Sequence, residues 1–166
     1  MNKYVIHRLV LTALFAALTC AATALLNIPS PVGGYFNIGD AVILIGAFLL
    51  GPVYGAVAGA IGAALADVLL SFVMYAPATF VIKFLTALTA ALLLRSLKKH
   101  RYIGAALGAV AGELVMAAGY FSSEWWLYGI SGSAESLLTP NLPQAAVSAA
   151  VAILLKQLYD LAEAAE

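Results

Sequence analysis

The chain has 166 residues, of which 64% are hydrophobic and only 10% are charged, and its formal net charge is zero. A water-soluble domain of this length needs far more charged residues on its surface. The sequence therefore predicts an integral membrane protein embedded in a lipid bilayer. The balanced charge and the absence of a basic face with interleaved aromatic residues exclude a nucleic-acid-binding protein.

Apolar runs separated by turn residues predict six helices along the chain. A full crossing of the bilayer takes about 20 residues, so the second run is short for a crossing or sits inside the bundle. We therefore predict an all-α integral membrane protein, in which residues 1–166 form a single domain of six transmembrane helices in a compact bundle. The helices are predicted near 5–26, 39–50, 53–73, 78–95, 102–121 and 141–160.

Basic residues lie at alternate ends of these predicted helices. The connections 27–37, 74–77 and 122–140 contain no Lys or Arg. The positive-inside rule places the other connections in the cytoplasm, and with them both termini of the chain. The basic residues that set this orientation are Lys3, Arg8, Arg95, Lys98, Lys99, Arg101 and Lys156.

Small residues recur every four positions in the first, third and fifth helices. In lipid, small residues that let two backbones approach closely are a main source of helix packing energy. For the glycines we predict packing inside the bundle, whereas the alanines on the first helix are also free to contact an external partner. The repeats are Ala13, Ala17 and Ala21, then Gly55 and Gly59, then Gly104, Gly108 and Gly112.

Two of the predicted outer connections have compositions suited to a lid. The stretch "NIPSPVGGYFN" (27–37) is rich in Pro and Gly, and 122–140 mixes acids, aromatic residues and glycines. Trp125, Trp126 and Tyr128 are each typical of an aromatic belt at the membrane interface. Together in one connection they also suit stacking on a flat ligand, and both interpretations stay open.

Three ionisable side chains, Asp67, Lys83 and Glu113, fall inside the predicted helices. Each costs roughly 2.5 to 3.5 kcal/mol at the centre of a membrane helix, so each must face the bundle interior, a partner or water. Asp67 and Lys83 are predicted near the same end of neighbouring helices. They either neutralise each other as a structural pair or serve a ligand.

Glu113 lies about halfway along the fifth predicted helix. Met116, Ala117, Tyr120 and Glu124 follow it on one helical face, which leads to the aromatic connection. The pattern predicts that Glu113 contacts a ligand. A protonated, hydrogen-bonded structural glutamate or a partner of Lys83 are the alternatives.

The outer half of the sixth predicted helix carries a polar stripe of Asn141, Gln144 and Ser148. The segment "TPNLPQ" contains two prolines that leave backbone carbonyl groups without helical partners. Together with the fifth helix, this stripe predicts an outward-facing polar pocket roofed by the connections.

Motifs exclude several functions. The chain contains no G-x-x-x-x-G-K-[ST], so it has no ATPase of its own, and no H-E-x-x-H motif or Cys/His cluster indicates a metal site. The single cysteine, Cys20, cannot form an internal disulfide or a thiolate cluster. Two similar halves with paired broken helices, as many self-sufficient transporters have, are not seen. We therefore predict a binding subunit, not an enzyme, with no catalytic residue, cofactor or metal.

Several motifs together resemble the substrate-binding S components of energy-coupling factor (ECF) vitamin transporters. These are "ALFAAL", the series "NIGD…GP…G…D…YAPATFVIK", "GYFSSEWWLYG" and "NLPQ", which together extend over nearly the whole chain. Within that group the chain most resembles the S components for hydroxymethylpyrimidine and pyridoxine-type vitamins, which adjoin riboflavin-type members. The resemblance therefore implies a pyridoxine-like or hydroxymethylpyrimidine-like ligand first, and a riboflavin-type S component is the alternative.

The resemblance implies a multi-pass protein of the bacterial cytoplasmic membrane that captures a small water-soluble vitamin at the outer face. It also implies partners, namely a transmembrane coupling protein (the T component) and two cytoplasmic ATPases, whose ATP hydrolysis tips the S component so that its pocket opens inward. The competing class is a small structural or enzymatic membrane protein whose buried charges merely pair with one another.

The resemblance also assigns roles to residues. The A-x-x-x-A motif that contacts the coupling protein in the family matches Ala13 and Ala17, with Ala21 as a further repeat. The vitamin is expected between the connection after the first helix and the outer parts of the fourth to sixth helices, where its ring would stack on Trp or Tyr and its donors would meet a carboxylate. The predicted substrate-binding residues are Tyr35, Asn37, Lys83, Glu113, Tyr120, Trp125, Asn141 and Gln144.

Overall fold

A computed structural model describes residues 2–31 and 34–165, which are almost entirely helical. The helices are α1 (Lys3–Leu25), α2 (Gly39–Leu50), α3 (Pro52–Leu69), α4 (Ala76–Ser96), α5 (Arg101–Ser136) and α6 (Leu142–Ala165). Between α1 and α2 lies a short hairpin of β1 (Asn27–Pro29) and β2 (Tyr35–Asn37). A 3₁₀ turn precedes α5, and a π-helical turn, Leu137–Asn141, joins α5 to α6.

In the part of the chain that the structure describes, four helical segments are long and apolar enough to cross a membrane. The fourth of them, Lys98–Ala162, includes both α5 and α6, and α2 is a shorter apolar helix. The predicted class, an all-α membrane protein, is therefore confirmed. The number of crossings and the orientation of the termini stay predictions.

The helices form one bundle in which α2 occupies the interior. α3 packs between α1 and α4, α4 packs on α5, and α5 packs on α6, while α2 contacts α1, α3, α4 and α6. Most residues of α2 are buried, including Ile43 and Leu44, which are among the largest fully buried side chains. A helix surrounded by protein does not have to match the bilayer thickness, which explains why α2 is short.

The glycine repeats bring helix backbones together, as the sequence predicted. A Cβ atom added to Gly55 would lie 2.5 Å from the Ala47 Cα, and one added to Gly108 would lie 2.6 Å from the Ala90 carbonyl oxygen. Real Cβ atoms do not approach other atoms so closely, so these crossings require glycine. A Cβ atom added to Gly112 would lie 2.9 Å from the Thr86 carbonyl oxygen, and one added to Gly59 would lie 2.8 Å from the Ile43 side chain. The space at Gly104 is less tight, with the nearest atom at 3.1 Å.

The predicted lid connection 27–37 is a β-hairpin over one end of the bundle. Its strands pair antiparallel, with Ile28 opposite Phe36 and Pro29 opposite Tyr35. At its tip Gly34 adopts a φ of 67°, a left-handed conformation that glycine adopts without strain. The second strand contacts α1, α6 and the π-helical turn, so the hairpin closes the bundle at this end.

Helix α3 ends at Leu69, earlier than the predicted end near residue 73. Ser71 adopts a φ of 66°, and its N–H donates to the Val68 carbonyl at 3.2 Å. The next residue, Phe72, donates its N–H to the Asp67 carbonyl at 2.8 Å. This pair of bonds around a left-handed residue is the Schellman termination, with serine where glycine is usual. Serine is not a strong helix-stop signal, so the continuing apolar run predicted an end that is about four residues too late.

Helix α5 continues far beyond its predicted end near residue 121. The predicted connection 122–140 is helical to Ser136, with one break at Gly129, where φ is 72° and ψ is 178°. No proline occurs between 122 and 136, and the Ser122 and Ser133 hydroxyls each donate to the carbonyl four residues earlier at 2.8 Å. The polar composition was typical of a loop, but these residues satisfy their polar groups within a helix.

Candidate functional site

A narrow cavity lies beneath the hairpin, between the ends of α3, α4, α5 and α6. Its volume is about 30 Å³. That is room for roughly two water molecules, so a larger ligand enters only if part of the roof moves. Polar and aromatic side chains line the cavity, in a bundle whose core is otherwise built mainly from alanine and aliphatic residues.

A buried ion pair lies at the inner side of this cavity. The Lys83 Nζ on α4 lies 2.7 Å from both carboxylate oxygens of Asp40 in the first turn of α2. Gln144 on α6 donates its Nε2 to Asp40 Oδ2, also at 2.7 Å. A carboxylate in the first turn of a helix is further stabilised by the helix dipole. Asp40, Lys83 and Gln144 thus join α2, α4 and α6 through one charged group.

The same network continues into the hairpin. The Gln144 Oε1 accepts from the backbone N–H of Asn37 at 2.8 Å and from its Nδ2 at 3.0 Å. The Asn37 Oδ1 accepts from the backbone N–H of Gly39 at 2.8 Å, which satisfies a free donor at the start of α2. Asn37 and Gln144 are both almost fully buried, so these bonds hold β2 to α6 without competing water.

Tyr35 connects the hairpin to α3. Its hydroxyl donates to Asp67 Oδ1 at 2.5 Å, a short distance typical of a bond to a carboxylate. Burial, together with the nearby Asp67 carboxylate, raises the pKa of Tyr35, so the phenol keeps the proton that it donates. The other oxygen of Asp67, Oδ2, is buried and has no hydrogen-bond partner among the described residues.

Tyr120 on α5 occupies the centre of the cavity wall. Its hydroxyl shares a 3.0 Å hydrogen bond with Thr79 on α4, and the Lys83 Nζ lies 4.9 Å from the centroid of its ring. At this distance the ammonium is attracted to the face of the ring. Nearby, the hydroxyl of Tyr75 donates to that of Tyr128 at 2.8 Å. The wall therefore offers aromatic rings held in place by hydrogen bonds.

The roof contains a second carboxylate, Glu124, which is 2% exposed although it lies in the region predicted as a connection. It interacts with Ser136 and Asn141 of the segment that joins α5 to α6. Its Oε2 has no hydrogen-bond partner within the described part of the chain. Asp67 and Glu124 both line the cavity, and each has one buried carboxylate oxygen without a hydrogen-bond partner among the described residues.

Glu113 is buried but does not line the cavity. Neither of its oxygens has a hydrogen-bond partner among the residues that the structure describes. Asp40 and Lys83 are its charged neighbours, but they pair with each other. Direct contact between Glu113 and a ligand therefore requires movement of the side chains that now line the cavity.

The two tryptophans of 122–128 lie outside the lining of the cavity and are exposed. Trp126 is 93% exposed, and Trp125 is 55% exposed and packs against Phe121 with their ring centroids 6.3 Å apart. Neither tryptophan lines the cavity. The exposed rings suit the interfacial aromatic belt better than a stacking surface in this structure.

Six of the eight predicted substrate-binding residues line the cavity. The two that do not are Glu113 and Trp125. A direct pair of Asp67 with Lys83, one of the two alternatives that the sequence left open, is not formed, because Lys83 binds Asp40 and Asp67 binds Tyr35. The six residues that line it are Tyr35, Asn37, Lys83, Tyr120, Asn141 and Gln144.

Several important residues were not predicted as part of the site, most notably Asp40. It follows the turn residues "NIG" and precedes a long apolar run, so a first-turn carboxylate could have been predicted there. Glu124 was placed on the face of Glu113 but in a loop, and its burial has no sequence signal. Tyr75 immediately precedes α4, and Thr79 lies in its first turn. Only the tertiary structure places Tyr75 beside Tyr128 and Thr79 beside Tyr120.

Ala13, Ala17 and Ala21 are all exposed on one side of α1. The opposite side packs into the bundle through Thr12, Ala16, Thr19 and Thr23. A row of small exposed side chains permits close approach of another helix from outside the bundle.

Among the described residues, no cluster of His, Cys, Asp and Glu side chains has the size needed to hold a metal ion. The residues that line the cavity include two carboxylates, one ammonium, three amides and three tyrosines. Such a set recognises a small polar ring through hydrogen bonds and stacking.

Comparison with known proteins gives two matches. The model of the family described as "ECF-type riboflavin transporter, S component" matches residues 3–160, a span that contains the whole cavity. An "uncharacterized protein in gap 3'region" of Pyrococcus woesei is 38% identical over 112 residues, which are 67% of this chain and 74% of that protein.

Proposed function

We propose that this chain, which belongs to the family of S components of ECF-type riboflavin transporters, binds a pyridoxine-like or hydroxymethylpyrimidine-like vitamin in the cavity beneath its hairpin. Family membership identifies the chain as a substrate-binding subunit for vitamin uptake in the cell membrane. The choice of vitamin, the residues that contact it and the partners of this chain are the parts that we propose.

The observation that carries the proposal is the pair of unsatisfied carboxylate oxygens at the cavity, Asp67 Oδ2 and Glu124 Oε2. A buried carboxylate oxygen without a donor is costly, so a ligand that supplies donors gains binding energy there. A hydroxymethyl group, an exocyclic amine or a protonated ring nitrogen each donates a hydrogen bond to such an oxygen. Pyridoxine-like and hydroxymethylpyrimidine-like rings carry these donors.

The aromatic wall supports the same ligand class. Tyr120 and Tyr35 provide ring faces beside the carboxylates, and Lys83 provides a cation that can donate to a ring nitrogen or hydroxyl oxygen. Because the narrow cavity holds only about 30 Å³, a single ring requires less displacement of the roof than a larger ring system does. We also propose that Glu113 contacts the ligand. This contact forms only if the ligand displaces the side chains that lie between Glu113 and the cavity.

Riboflavin is the second candidate, and the description of the matching family favours it. A three-ring ligand would require the hairpin to move well away from α3 and α6. That movement breaks the Tyr35–Asp67 bond and the bonds between Asn37 and Gln144. Both candidate ligands therefore require the hairpin to open, and riboflavin requires the larger movement.

For the coupling step we propose that Ala13, Ala17 and Ala21 contact the transmembrane coupling protein, which acts with two cytoplasmic ATPases. Their exposure on α1 supports this role, because the outer side of a terminal helix is free for another helix to approach. In this proposal the chain supplies recognition of the vitamin and the partner subunits supply the energy.

The decisive experiment is identification of the bound ligand. The protein is purified in detergent without added vitamin, denatured, and its supernatant analysed by mass spectrometry, and the emptied protein is then titrated with pyridoxine, hydroxymethylpyrimidine and riboflavin. We expect a one-ring heterocycle to be retained and to bind most tightly. Retention of riboflavin alone would replace our first candidate by the second. If nothing is retained and none of the three binds, a structural role with paired charges becomes the better interpretation.

A further inference from the structure

A second, larger cavity lies at the opposite end of the bundle, which the sequence predicts to be cytoplasmic. Its volume is about 580 Å³, and it opens between α1, the junction of α2 with α3, and the end of α4. Four basic side chains line it, half of the eight Lys and Arg residues in the chain, and among the described residues no acidic side chain does. The four are Arg8, Arg95, Lys98 and Arg101.

One of these cations is held in place. The Arg8 Nη1 donates to the carbonyl oxygen of Leu50 at 2.9 Å, and its guanidinium lies 5.0 Å and 5.6 Å from the ring centroids of Tyr4 and Tyr54. The carbonyl bond uses one of the five donors of a guanidinium, so Arg8 retains donors for an anion. Arg8 is thereby positioned in advance, which lowers the entropic cost of binding.

Two other cations lack a compensating charge. Within the described residues, Arg95 and Lys98 form no ion pair or hydrogen bond through their side chains, although both line the same cavity. Arg101, the fourth, lies 3.5 Å from Asp160 through its Nη2. The excess positive charge of this cavity therefore comes mainly from α1 and the end of α4, in a chain that is neutral overall.

The start of α3 adds backbone donors to the same cavity. Gly51 and the first three residues of α3 line it. The Gly51 N–H donates to the Ala47 carbonyl at 3.0 Å, and Pro52 has no N–H. The donors without a carbonyl partner within the helix are therefore the N–H groups of Val53 and Tyr54. A Cβ atom added to Gly51 would meet nothing within 4 Å, so the space in front of this helix end is open. The positive end of the helix dipole therefore points toward the cavity and reinforces the attraction for an anion.

The rim of the cavity is apolar. Leu49 and Val53 are 41% and 62% exposed and line the cavity together with the basic residues. In a membrane protein such exposed side chains contact acyl chains. A ligand that binds both the basic lining and the apolar rim has an anionic head group next to an apolar tail. A phospholipid has this structure, and a free anion does not.

We propose that this cavity, between α1, the start of α3 and the end of α4, binds the phosphate of an anionic phospholipid through Arg8, Arg95 and Lys98. The phosphate accepts hydrogen bonds from the guanidinium groups and lies near the start of α3, while the acyl chains pass over Leu49 and Val53. The bound lipid would neutralise the positive charge of this cavity at the membrane surface.

The test is native mass spectrometry of the whole purified protein, titrated with phosphatidylglycerol or phosphatidylcholine of the same acyl chains. We expect phosphatidylglycerol to bind in preference, and the double variant Arg95→Gln/Lys98→Gln to weaken its binding roughly tenfold or more. The matched control, Lys3→Gln/Lys99→Gln, removes the same charge from the same end of the molecule but from residues that do not line the cavity. It should bind phosphatidylglycerol like the unaltered protein.

Three results would overturn the proposal. Equal losses in the two double variants would indicate general surface charge instead of this cavity. Displacement of phosphatidylglycerol by millimolar inorganic phosphate would indicate a site for a free anion. No preference for phosphatidylglycerol, combined with loss of coupling-protein association in the Arg95→Gln/Lys98→Gln variant alone, would assign the cavity to an acidic partner protein. Thermal denaturation of both variants checks that they remain folded.

Discussion

The ammonium of Lys83 on α4 and the carboxylate of Asp40 in the first turn of α2 form a buried ion pair, with Nζ 2.7 Å from each carboxylate oxygen. Both side chains are almost fully buried, in a protein in which only 10% of the residues are charged. Through Gln144 and Asn37 the pair also holds the hairpin over the cavity. Structural stability and the shape of the site therefore depend on the same group of residues.

The first prediction concerns this ion pair. Lys83→Met leaves the Asp40 carboxylate buried without its cation, so we expect a loss of about 3–5 kcal/mol in the free energy of unfolding. Asp40→Asn leaves the ammonium similarly unpaired. The double variant should lose less than the sum of the two single losses, by about 0.5–3 kcal/mol, because it leaves no unpaired charge. Thermal or denaturant unfolding in detergent measures the cycle, and strictly additive losses would contradict the pairing.

The second prediction concerns the ligand. Asp67→Asn and Glu124→Gln each replace an unsatisfied carboxylate oxygen by an amide, so we expect vitamin binding to weaken roughly ten- to a hundredfold in each. Isothermal titration calorimetry measures the change. Asp160→Asn, at the opposite end of the bundle, is the control and should bind like the unaltered protein.

Glu113→Gln is measured in the same series because Glu113 is buried outside the cavity. A loss of affinity comparable to that of Asp67→Asn, with thermal stability unchanged, would show that the ligand reaches Glu113. Equal losses of affinity and stability would instead identify a structural glutamate. Unchanged affinity in both Asp67→Asn and Glu124→Gln would remove the main support for the proposed ligand class.

The third prediction concerns the hairpin. Because burial and Asp67 raise the pKa of Tyr35, its hydroxyl stays a donor throughout the neutral pH range. Tyr35→Phe removes a hydrogen bond to a charged group, worth about 1.5–3 kcal/mol, and should increase amide hydrogen exchange in the hairpin. The control is Tyr102→Phe on α5, whose side chain is largely exposed. If the hairpin amides exchange at the same rate in the Tyr35→Phe variant and in the unaltered protein, the Asn37–Gln144 bonds are sufficient to hold the hairpin in place.

The fourth prediction concerns the end of α3. Ser71 occupies the left-handed position of a Schellman termination, which costs a non-glycine residue about 1–2 kcal/mol. We expect Ser71→Gly to raise the free energy of unfolding by about 1 kcal/mol, since glycine adopts this conformation without a Cβ clash and loses part of the gain to its greater chain entropy. The matched control is Ser122→Gly in the interior of α5, which should be destabilising. A decrease in the melting temperature of the Ser71→Gly variant would contradict the assignment.

The fifth prediction concerns the exposed side of α1. Ala13→Trp puts a large ring on the surface proposed to contact the coupling protein. We expect vitamin binding to the purified protein to be unchanged and uptake by cells with the complete transporter to be abolished. Val110→Trp, on the exposed side of α5, is the control and should leave uptake intact. Normal uptake by the Ala13→Trp variant would remove α1 from the proposed contact.

Much of this molecule was predictable from local sequence patterns. The low charge content and the long apolar runs indicate a membrane protein, and the predicted bounds of α2, 39–50, agree with Gly39–Leu50. The glycine repeats correctly predicted close helix packing, because the size of a residue and its helical period determine which backbones can approach. The polar residues of the cavity were also largely predictable, since a polar side chain in an apolar helix must face the protein interior.

The tertiary structure alone decided which of these residues meet. Lys83 pairs with Asp40, 43 residues earlier, because α2 lies in the bundle interior beside α4. The sequence had offered Asp67 as one possible partner of Lys83. Glu124 is buried because α5 continues past its predicted end and turns at Gly129, and Glu113 is buried away from the cavity. Composition and period describe one helix at a time. The partners of a buried charge depend on how several helices pack, and that is a property of the whole chain.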